Sequence, residues 1–148
     1  MVAAREIRGL QRVRDYMTVA PVTLDVSQSL LSAAVLLRTS GFRHVPVMAD
    51  GRLVGMLSDR DVARLSPTVL LPHAAEDHHR VLEQTTIGLV MTRELVSTTP
   101  EAPLRHAVEL VCRHGLSCLP VMDDDQLVGI ITSRDMLRAL EDLLGDGN

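Results

Sequence analysis

The 148-residue sequence predicts an α+β fold in which one β-α-β-β-α module occurs twice in tandem. The first ground is an internal repeat, and a missed repeat misreads a whole fold. Gly41, Pro46, Gly55 and Asp61 recur as Gly115, Pro120, Gly129 and Asp135, each displaced by 74 positions. Under that offset, 17–64 aligns with 91–138 without a gap. Of the 48 pairs, 17 are identical, among them Met17/Met91, Thr18/Thr92, Ala33/Ala107, Val47/Val121 and Arg60/Arg134. Unrelated sequences of this composition would agree at roughly three or four places. The second ground is a hydrophobic pattern that switches between strand-like runs and helical spacing in the same order within each copy.

The elements follow in order. Val22, Thr23 and Leu24 make a short β-prone run, mirrored by Val96, Ser97 and Thr98. A helix over 29–40 comes next, because Leu30, Ala33, Ala34 and Leu37 fall at i, i+3, i+4, i+7. Gly41 sits where a C-terminal cap needs positive φ. The matching helix over 103–114 is closed by Gly115. Two apolar strands, 44–48 and 53–58, flank the turn residues Asp50 and Gly51; in the second copy they are 118–122 and 127–132. A last helix covers 59–65 in one copy and 133–144 in the other.

A module of about 50 residues with three short strands leaves an apolar sheet face uncovered and is marginal alone. Two copies are therefore expected to share a core around a pseudo-twofold axis, with two related sites in the cleft. The expected division is 10–65, a linker at 66–84, and 85–144. The linker does not repeat; it carries Pro67, Pro72 and the run Glu76, Asp77, His78, His79, and reads as partly helical.

Composition excludes several classes. Aromatic residues are one Tyr, one Phe and no Trp, so the core must be aliphatic. The stacking platforms that hold single-stranded nucleic acid are also missing. A net charge of −4, from 15 basic and 19 acidic residues, offers no phosphate-neutralising stripe. No apolar run approaches the roughly 18 residues of a membrane span, and the N-terminus lacks a signal-peptide apolar region. Cys112 and Cys118 form no CxxC pair. The expectation is a cytoplasmic protein without nucleic-acid or membrane partners.

The strongest local signal is Gly55-Met56-Leu57-Ser58-Asp59-Arg60-Asp61, repeated as Gly129-Ile130-Ile131-Thr132-Ser133-Arg134-Asp135, where a strand hands over to a helix. The spacing has two readings. Ser58 or Thr132 can cap the helix while Asp61 or Asp135 sits at N3 near the positive end of its dipole. Alternatively, the hydroxyl and the helix N–H groups hold a phosphate, and the carboxylate one turn on accepts ribose hydroxyls.

With Asp15-Tyr16-Met17-Thr18 and Gly41-Phe42-Arg43-His44-Val45-Pro46-Val47, these segments resemble the tandem cystathionine-β-synthase (CBS) domain pair, or Bateman module, from about Val13 to Leu144. Ser58 to Asp61 running into Leu65, Ser66 and Pro67, together with His114 to Pro120, is most similar to the stand-alone acetoin-utilisation type. Some such proteins add a C-terminal ligand-binding domain; with the sequence closing at Asn148, none is expected here.

The resemblance implies a regulatory protein that binds an adenine-containing ligand: AMP, ADP, ATP, S-adenosylmethionine or a dinucleotide. No cofactor is required. Asp61 or Asp135 would hold the ribose, and Ser58 or Thr132 would contact phosphate. Arg43 and His44 would supply positive charge, whereas the second copy has Ser117 and Cys118 there. Thr23, Val96, Ser97 and Thr98 lie on the strands that meet adenine, and Asp61 is expected to face the opposite copy's strand, 96–98. The Asp61 site is therefore the favoured one. The resemblance also implies a homodimer through helices flanking the sheets, with the Leu137, Leu140, Leu143, Leu144 face buried against a second subunit, and a regulated partner the sequence does not name. A purely structural or oligomerisation module with empty clefts is the alternative.

Other candidates read plainly. His73, His78 and His79 lack metal-site spacing and suit a solvated linker. Cys118 suits a small core residue. The Met residues Met48, Met56 and Met122 suit core filler. No Walker loop, nucleophile elbow or paired catalytic acids occur, so no enzyme is expected.

Overall fold

The computed structural model describes residues 11–65 and 74–145. Positions 66–73 of the expected linker, with Pro67, Pro72 and His73, lie outside the described residues. In order come a 3-10 turn (Val13–Asp15), β1 (Thr18–Val19), β2 (Leu24–Asp25), α1 (Leu30–Ser40), β3 (His44–Ala49), β4 (Arg52–Ser58) and α2 (Asp59–Ala63). Then follow α3 (Ala74–Gln84), a second 3-10 turn (Ile87–Leu89), α4 (Leu104–His114), β5 (Cys118–Asp123), β6 (Gln126–Thr132) and α5 (Ser133–Gly145). They group into two compact units. One is Val22–Leu95; the other joins the stretch ending at Pro21 to the stretch beginning at Val96. Each holds a three-stranded sheet with helices, the α+β class the repeat predicts.

In the Val22–Leu95 unit, α1 forms where its apolar spacing and caps agree. The Ser29 hydroxyl accepts the Ser32 N–H at 3.2 Å, and Gly41 at φ 72° donates its N–H to Leu37 O. Leu30, Ala33 and Leu37 are buried on its inner face. The sheet runs β2-β3-β4, with β2 parallel to β3 and β3 antiparallel to β4. Asp50 and Gly51 both take positive φ, 50° and 76°, as a tight two-residue turn requires. The first strand is shorter than the run 22–24 suggests. Its pairing with β3 begins only at Leu24, opposite Val47, and Val22 and Thr23 stay exposed. The core is aliphatic: Leu30, Val45, Val47, Leu57 and Ile87 are fully shielded.

The expected linker does more than connect. Positions 74–84 fold as α3, and Leu82 enters the same core as Leu24, Leu57 and Ile87. Beyond α3 the chain stitches the unit together. Thr85 O accepts the first helical N–H of α1, from Leu30, at 2.8 Å, and Ile87 donates its N–H to Gln28 O at 2.9 Å. Thr92 and Met56 exchange both backbone hydrogen bonds, at 2.9 and 3.0 Å.

The other unit repeats this arrangement with the opposite ends of the chain. Leu104 donates its N–H to Gln11 O at 2.8 Å, and Val13 to Ala102 O at 3.0 Å. Strand β1 lies antiparallel to β6, Thr18 opposite Ile130 and Val19 opposite Gly129, giving the order β1-β6-β5. Val13, Leu104, Leu119, Val121 and Ile131 form its core. Thus the segment leading into each sequence copy completes the sheet built from the other copy's hairpin. Gln11 and Thr85, Val13 and Ile87, and Met17 and Met91 are pairs at the same 74-residue offset and occupy matching places in the two units.

The exchange explains the glycine of the Gly55–Asp61 motif. A Cβ on Gly55 would collide with the Met91 sulfur and stand 2.9 Å from Thr92 O. One on Gly129 would stand 2.7 Å from Thr18 O and 3.1 Å from the Met17 sulfur. Only a hydrogen at Cα lets the exchanged strand approach.

Candidate functional site

Both hydroxyl–carboxylate pairs are assembled as reciprocal caps. In the first, Asp61 Oδ2 accepts the Ser58 N–H at 2.8 Å and the Ser58 hydroxyl at 2.9 Å, while Ser58 Oγ accepts the Asp61 N–H at 3.2 Å. In the second, Asp135 Oδ2 accepts the Thr132 N–H at 2.9 Å and its hydroxyl at 3.0 Å. The first N–H of each helix is also taken: Asp59 donates to Arg43 O and Ser133 to Ser117 O, each at 2.9 Å. The capping reading is therefore what the structure displays. It removes most of the free N–H groups that a phosphate at the helix start would use.

What the caps leave open differs between copies. Asp135 is buried, and its Oδ1 takes a hydrogen bond from the Arg138 guanidinium at 3.5 Å. Asp61 is half-buried, and its Oδ1 has Arg64 only as an ion-pair neighbour at 3.9 Å, from a side chain that is 80% exposed. Asp61 therefore presents a carboxylate oxygen held in place by its partner oxygen's bonds and able to accept ligand hydroxyls.

His44 lies opposite Ser58 in the β3–β4 register. Burial is the main cause holding its imidazole below the ordinary 6.5, against the opposing pull of Asp59 and Asp61. At neutral pH His44 is thus an uncharged hydrogen-bonding group, and Arg43 alone carries the positive charge expected of the pair. The sign of the pH effect follows. The unfolded chain protonates this histidine more readily than the folded one, so the stability present above about 6.5 is lost as the pH falls through the lower folded value. Melting of a His44→Gln variant is expected to depend less on pH than that of the parent between pH 7.5 and 5, measured by thermal unfolding in matched buffers.

Across the equivalent hairpin, Cys118 lies opposite Thr132. The thiol is buried, and desolvation, with a contribution from Asp135, pushes it up to about 12. It packs as the small core residue the sequence suggests, at the position that His44 occupies in the other copy. Arg43 is exposed and lines an open groove of about 420 Å³ with Leu37, Arg38, Phe42 and Val62, between α1 and α2.

The residues of the expected first strands divide between the units, and in the second copy the expected strand 96–98 is reduced to a single bridge of Thr98 with Val121. Thr23, exposed, belongs with Asp61; Val96, Ser97 and Thr98 belong with Asp135. Thr98 sits at the core position that Leu24 fills in the other copy, and its hydroxyl is buried without a hydrogen-bond partner among the described residues. Its N–H and C=O are engaged with Pro120 and Met122 of the sheet. Among the described residues no three His, Cys, Asp or Glu side chains converge as a metal site; His78 and His79 lie on α3.

A family model for the CBS domain matches residues 13–67 and again 87–142. The chain belongs to the CBS domain family. Among relatives of this CBS pair, it is 34% identical over 127 residues to the CBS domain-containing protein YhcV of Bacillus subtilis, covering 86% of this chain and 84% of that one. Its fold is similar to a putative acetoin utilization protein, AcuB, from Vibrio cholerae (TM-score 0.74, 31% identity, 92% of this chain and 94% of that chain). It is also similar to the CBS domain pair of protein MJ0100, solved in complex with 5′-methylthioadenosine and S-adenosyl-L-methionine (TM-score 0.73, 27% identity, 89% and 97% covered). No described helix of this CBS pair is long and apolar enough to cross a membrane.

The groove beside Arg43 is the site feature that motif reading missed. Its signal in the sequence is a pair of arginines, Arg38 and Arg43, bracketing the only phenylalanine, Phe42.

Proposed function

We propose that this CBS pair is a regulatory module, not an enzyme, which binds an adenine-containing ligand and reports its presence to a partner protein. AMP, ADP, ATP and S-adenosylmethionine are the candidate ligands. The observation that carries the reading is the Asp61 carboxylate, with one oxygen fixed by Ser58 and the other near only the exposed Arg64 at 3.9 Å among the described residues, so that it can accept a ligand hydroxyl. Ser58 and His44 supply neutral hydrogen-bonding groups beside it, Arg43 supplies charge for a phosphate, and Thr23 immediately precedes β2 of the same unit. The adenosine-type ligands held by the related MJ0100 pair support this class. The Thr132 and Asp135 half, with Ser117 and Cys118 in place of Arg43 and His44, would take a less charged ligand or none. The module acts as a homodimer in the cytoplasm, where its two free cysteines stay reduced.

Calorimetric titration with the four ligands tests this. Asp61→Ala is expected to weaken the best ligand at least tenfold, about 1.4 kcal/mol. Asp135→Ala removes the corresponding cap of the other unit and serves as the comparison, with a smaller loss of affinity for any phosphorylated ligand. Unchanged affinity in Asp61→Ala sinks the site assignment. The complete caps also suit a scaffold with empty clefts. A binder gains RT ln(1 + [L]/Kd) in thermal stability, whereas a scaffold gains nothing from any of the four.

A further inference from the structure

The two lead-in segments, 11–20 and 85–94, meet their hairpins with the same residues. Met17 and Thr18 press on Gly129, as Met91 and Thr92 press on Gly55. Nothing at those positions tells one segment from the other, yet each completes the hairpin of the opposite copy. The unexchanged pairing is also the nearer one. Thr18 is about 40 residues from Met56 and about 110 from its actual partner Ile130, and loop-closure entropy favours the shorter loop. The nearer hairpin is within reach. Leu24 lies opposite Val47, Val47 opposite Gly55, and Met56 exchanges its bonds with Thr92, so Leu24 and Thr92 stand at nearly one level on opposite sheet edges. Three strand spacings separate those edges, roughly 15 Å. The chain from Thr18 to Leu24 extends to roughly 20 Å.

The segments differ at the next contact. Gly88 donates its N–H to Val26 O at 3.1 Å, and at the 74-residue offset Arg14 donates to Pro100 O at 3.0 Å. A Cβ on Gly88 would stand 2.8 Å from Val26 Cγ2 and 3.3 Å from Val26 O. The φ of Gly88 is not positive, so this glycine supplies clearance and not a special backbone conformation. Val26 has little room to yield: its side chain is stiff at χ1, and its N–H is tied to Met48 O at 2.9 Å. In the other unit Pro100 and Glu101 replace Val26 and Ser27. There the Arg14 guanidinium donates to Glu101 Oε1 at 2.7 Å, and that of Arg12 to Glu101 O at 2.6 Å. Arg14 and Glu101 are both exposed, and such ion pairs contribute little in water. Steric exclusion is the larger discriminator.

We propose that Val26 excludes Arg14 from the Val22–Leu95 unit and thereby sends segment 11–20 past its own copy's hairpin to the distant one, leaving the near seat to segment 85–94. One exclusion is enough. A segment with glycine at this place fits either unit, but once 11–20 is barred from the near seat, only one arrangement seats both. The chain then passes between the units twice, at Pro21–Val22 and at Leu95–Val96. Copies closed on themselves would be joined by a single connection. The inference stands apart from any ligand at Asp61.

Disulfide trapping in the full chain tests it. With Cys112→Ser and Cys118→Ala removing the native thiols, Thr18→Cys, Met56→Cys and Ile130→Cys let one thiol choose between the two hairpins during refolding in a glutathione buffer. Peptide mass mapping reads the choice. The disulfide between positions 18 and 130 should dominate while Arg14 is present. Arg14→Gly and, independently, Val26→Ala should raise the one between 18 and 56 several-fold. Arg14→Ala keeps a Cβ but loses the pair with Glu101, and should leave the ratio near its starting value. A ratio that neither Arg14→Gly nor Val26→Ala moves overturns the proposal, as does Arg14→Ala acting as strongly as Arg14→Gly. Two measurements on chains with native cysteines serve if the three-thiol chain folds poorly. Gly88→Ala should lower the melting temperature by several degrees, and most of that loss should vanish when Val26→Ala is added. Refolding of Arg14→Gly should gain a slow phase that Arg14→Ala lacks. A Gly88→Ala loss that is absent or equal in both backgrounds, or Arg14→Gly refolding like Arg14→Ala, overturns the proposal as well.

Discussion

Gly129→Ala is expected to destabilise the protein by about 2–3 kcal/mol, because a well-packed interior that gains a methyl must move its neighbours. The neighbour here is backbone. The added Cβ would stand 2.7 Å from Thr18 O, on the strand that closes the sheet against β6, and 3.1 Å from the Met17 sulfur. The methionine can swing aside, but the carbonyl cannot without loosening the pairing of Thr18 with Ile130. The melting temperature should fall by roughly 5–10 °C. Gly145→Ala is the control, since nothing lies within 4 Å of a Cβ there, and a change within about 0.5 kcal/mol is expected. A Gly129→Ala protein as stable as the control would show that close approach is not what requires glycine in this motif. Chemical denaturation of the three proteins, with slopes compared as well as midpoints, decides the matter.

Leu82→Ala should cost about 2–4 kcal/mol, the range for deleting a buried leucine side chain. Leu82 is 4% exposed on α3 and packs in the cluster that contains Leu30, Leu57 and Ile87. Its neighbour Val81 is 42% exposed, so Val81→Ala on the same helix should change stability by no more than about 0.5 kcal/mol. The contrast separates packing from helix propensity, because both substitutions install the better helix former. If Leu82→Ala costs less than about 1 kcal/mol, α3 is a spacer after all.

These two positions also mark the boundary of what the sequence discloses. Ser29, Gly41 and the Asp50–Gly51 turn announce themselves because caps and tight turns depend on residues next to one another in the chain. Helix α3 reads as a linker because Glu76, Asp77, His78 and His79 dominate its polarity, and Leu82 is the buried anchor among its described side chains. Strand β1 is only two residues long, and its partner lies in the other copy's hairpin, so no local pattern reports it. The identities Met17/Met91 and Thr18/Thr92 were the available trace: they mark the residues that press on Gly129 and Gly55. At the site, spacing alone correctly brings Ser58 to Asp61 and Thr132 to Asp135. It does not reveal that burial leaves His44 neutral, or that Arg43 borders a groove. Both depend on which side of the sheet a side chain meets.

Thr18 pairs with Ile130, so the ribosome makes the two partners more than a hundred residues apart. The Val22–Leu95 unit, by contrast, draws only on contiguous chain and can fold as soon as Leu95 emerges. Synthesis therefore meets a finished unit flanked by an orphan strand that must wait, unpaired, for almost the whole second copy. A ribosome stalled before β6 would hold that edge open, where quality-control proteases and foreign strands could reach it.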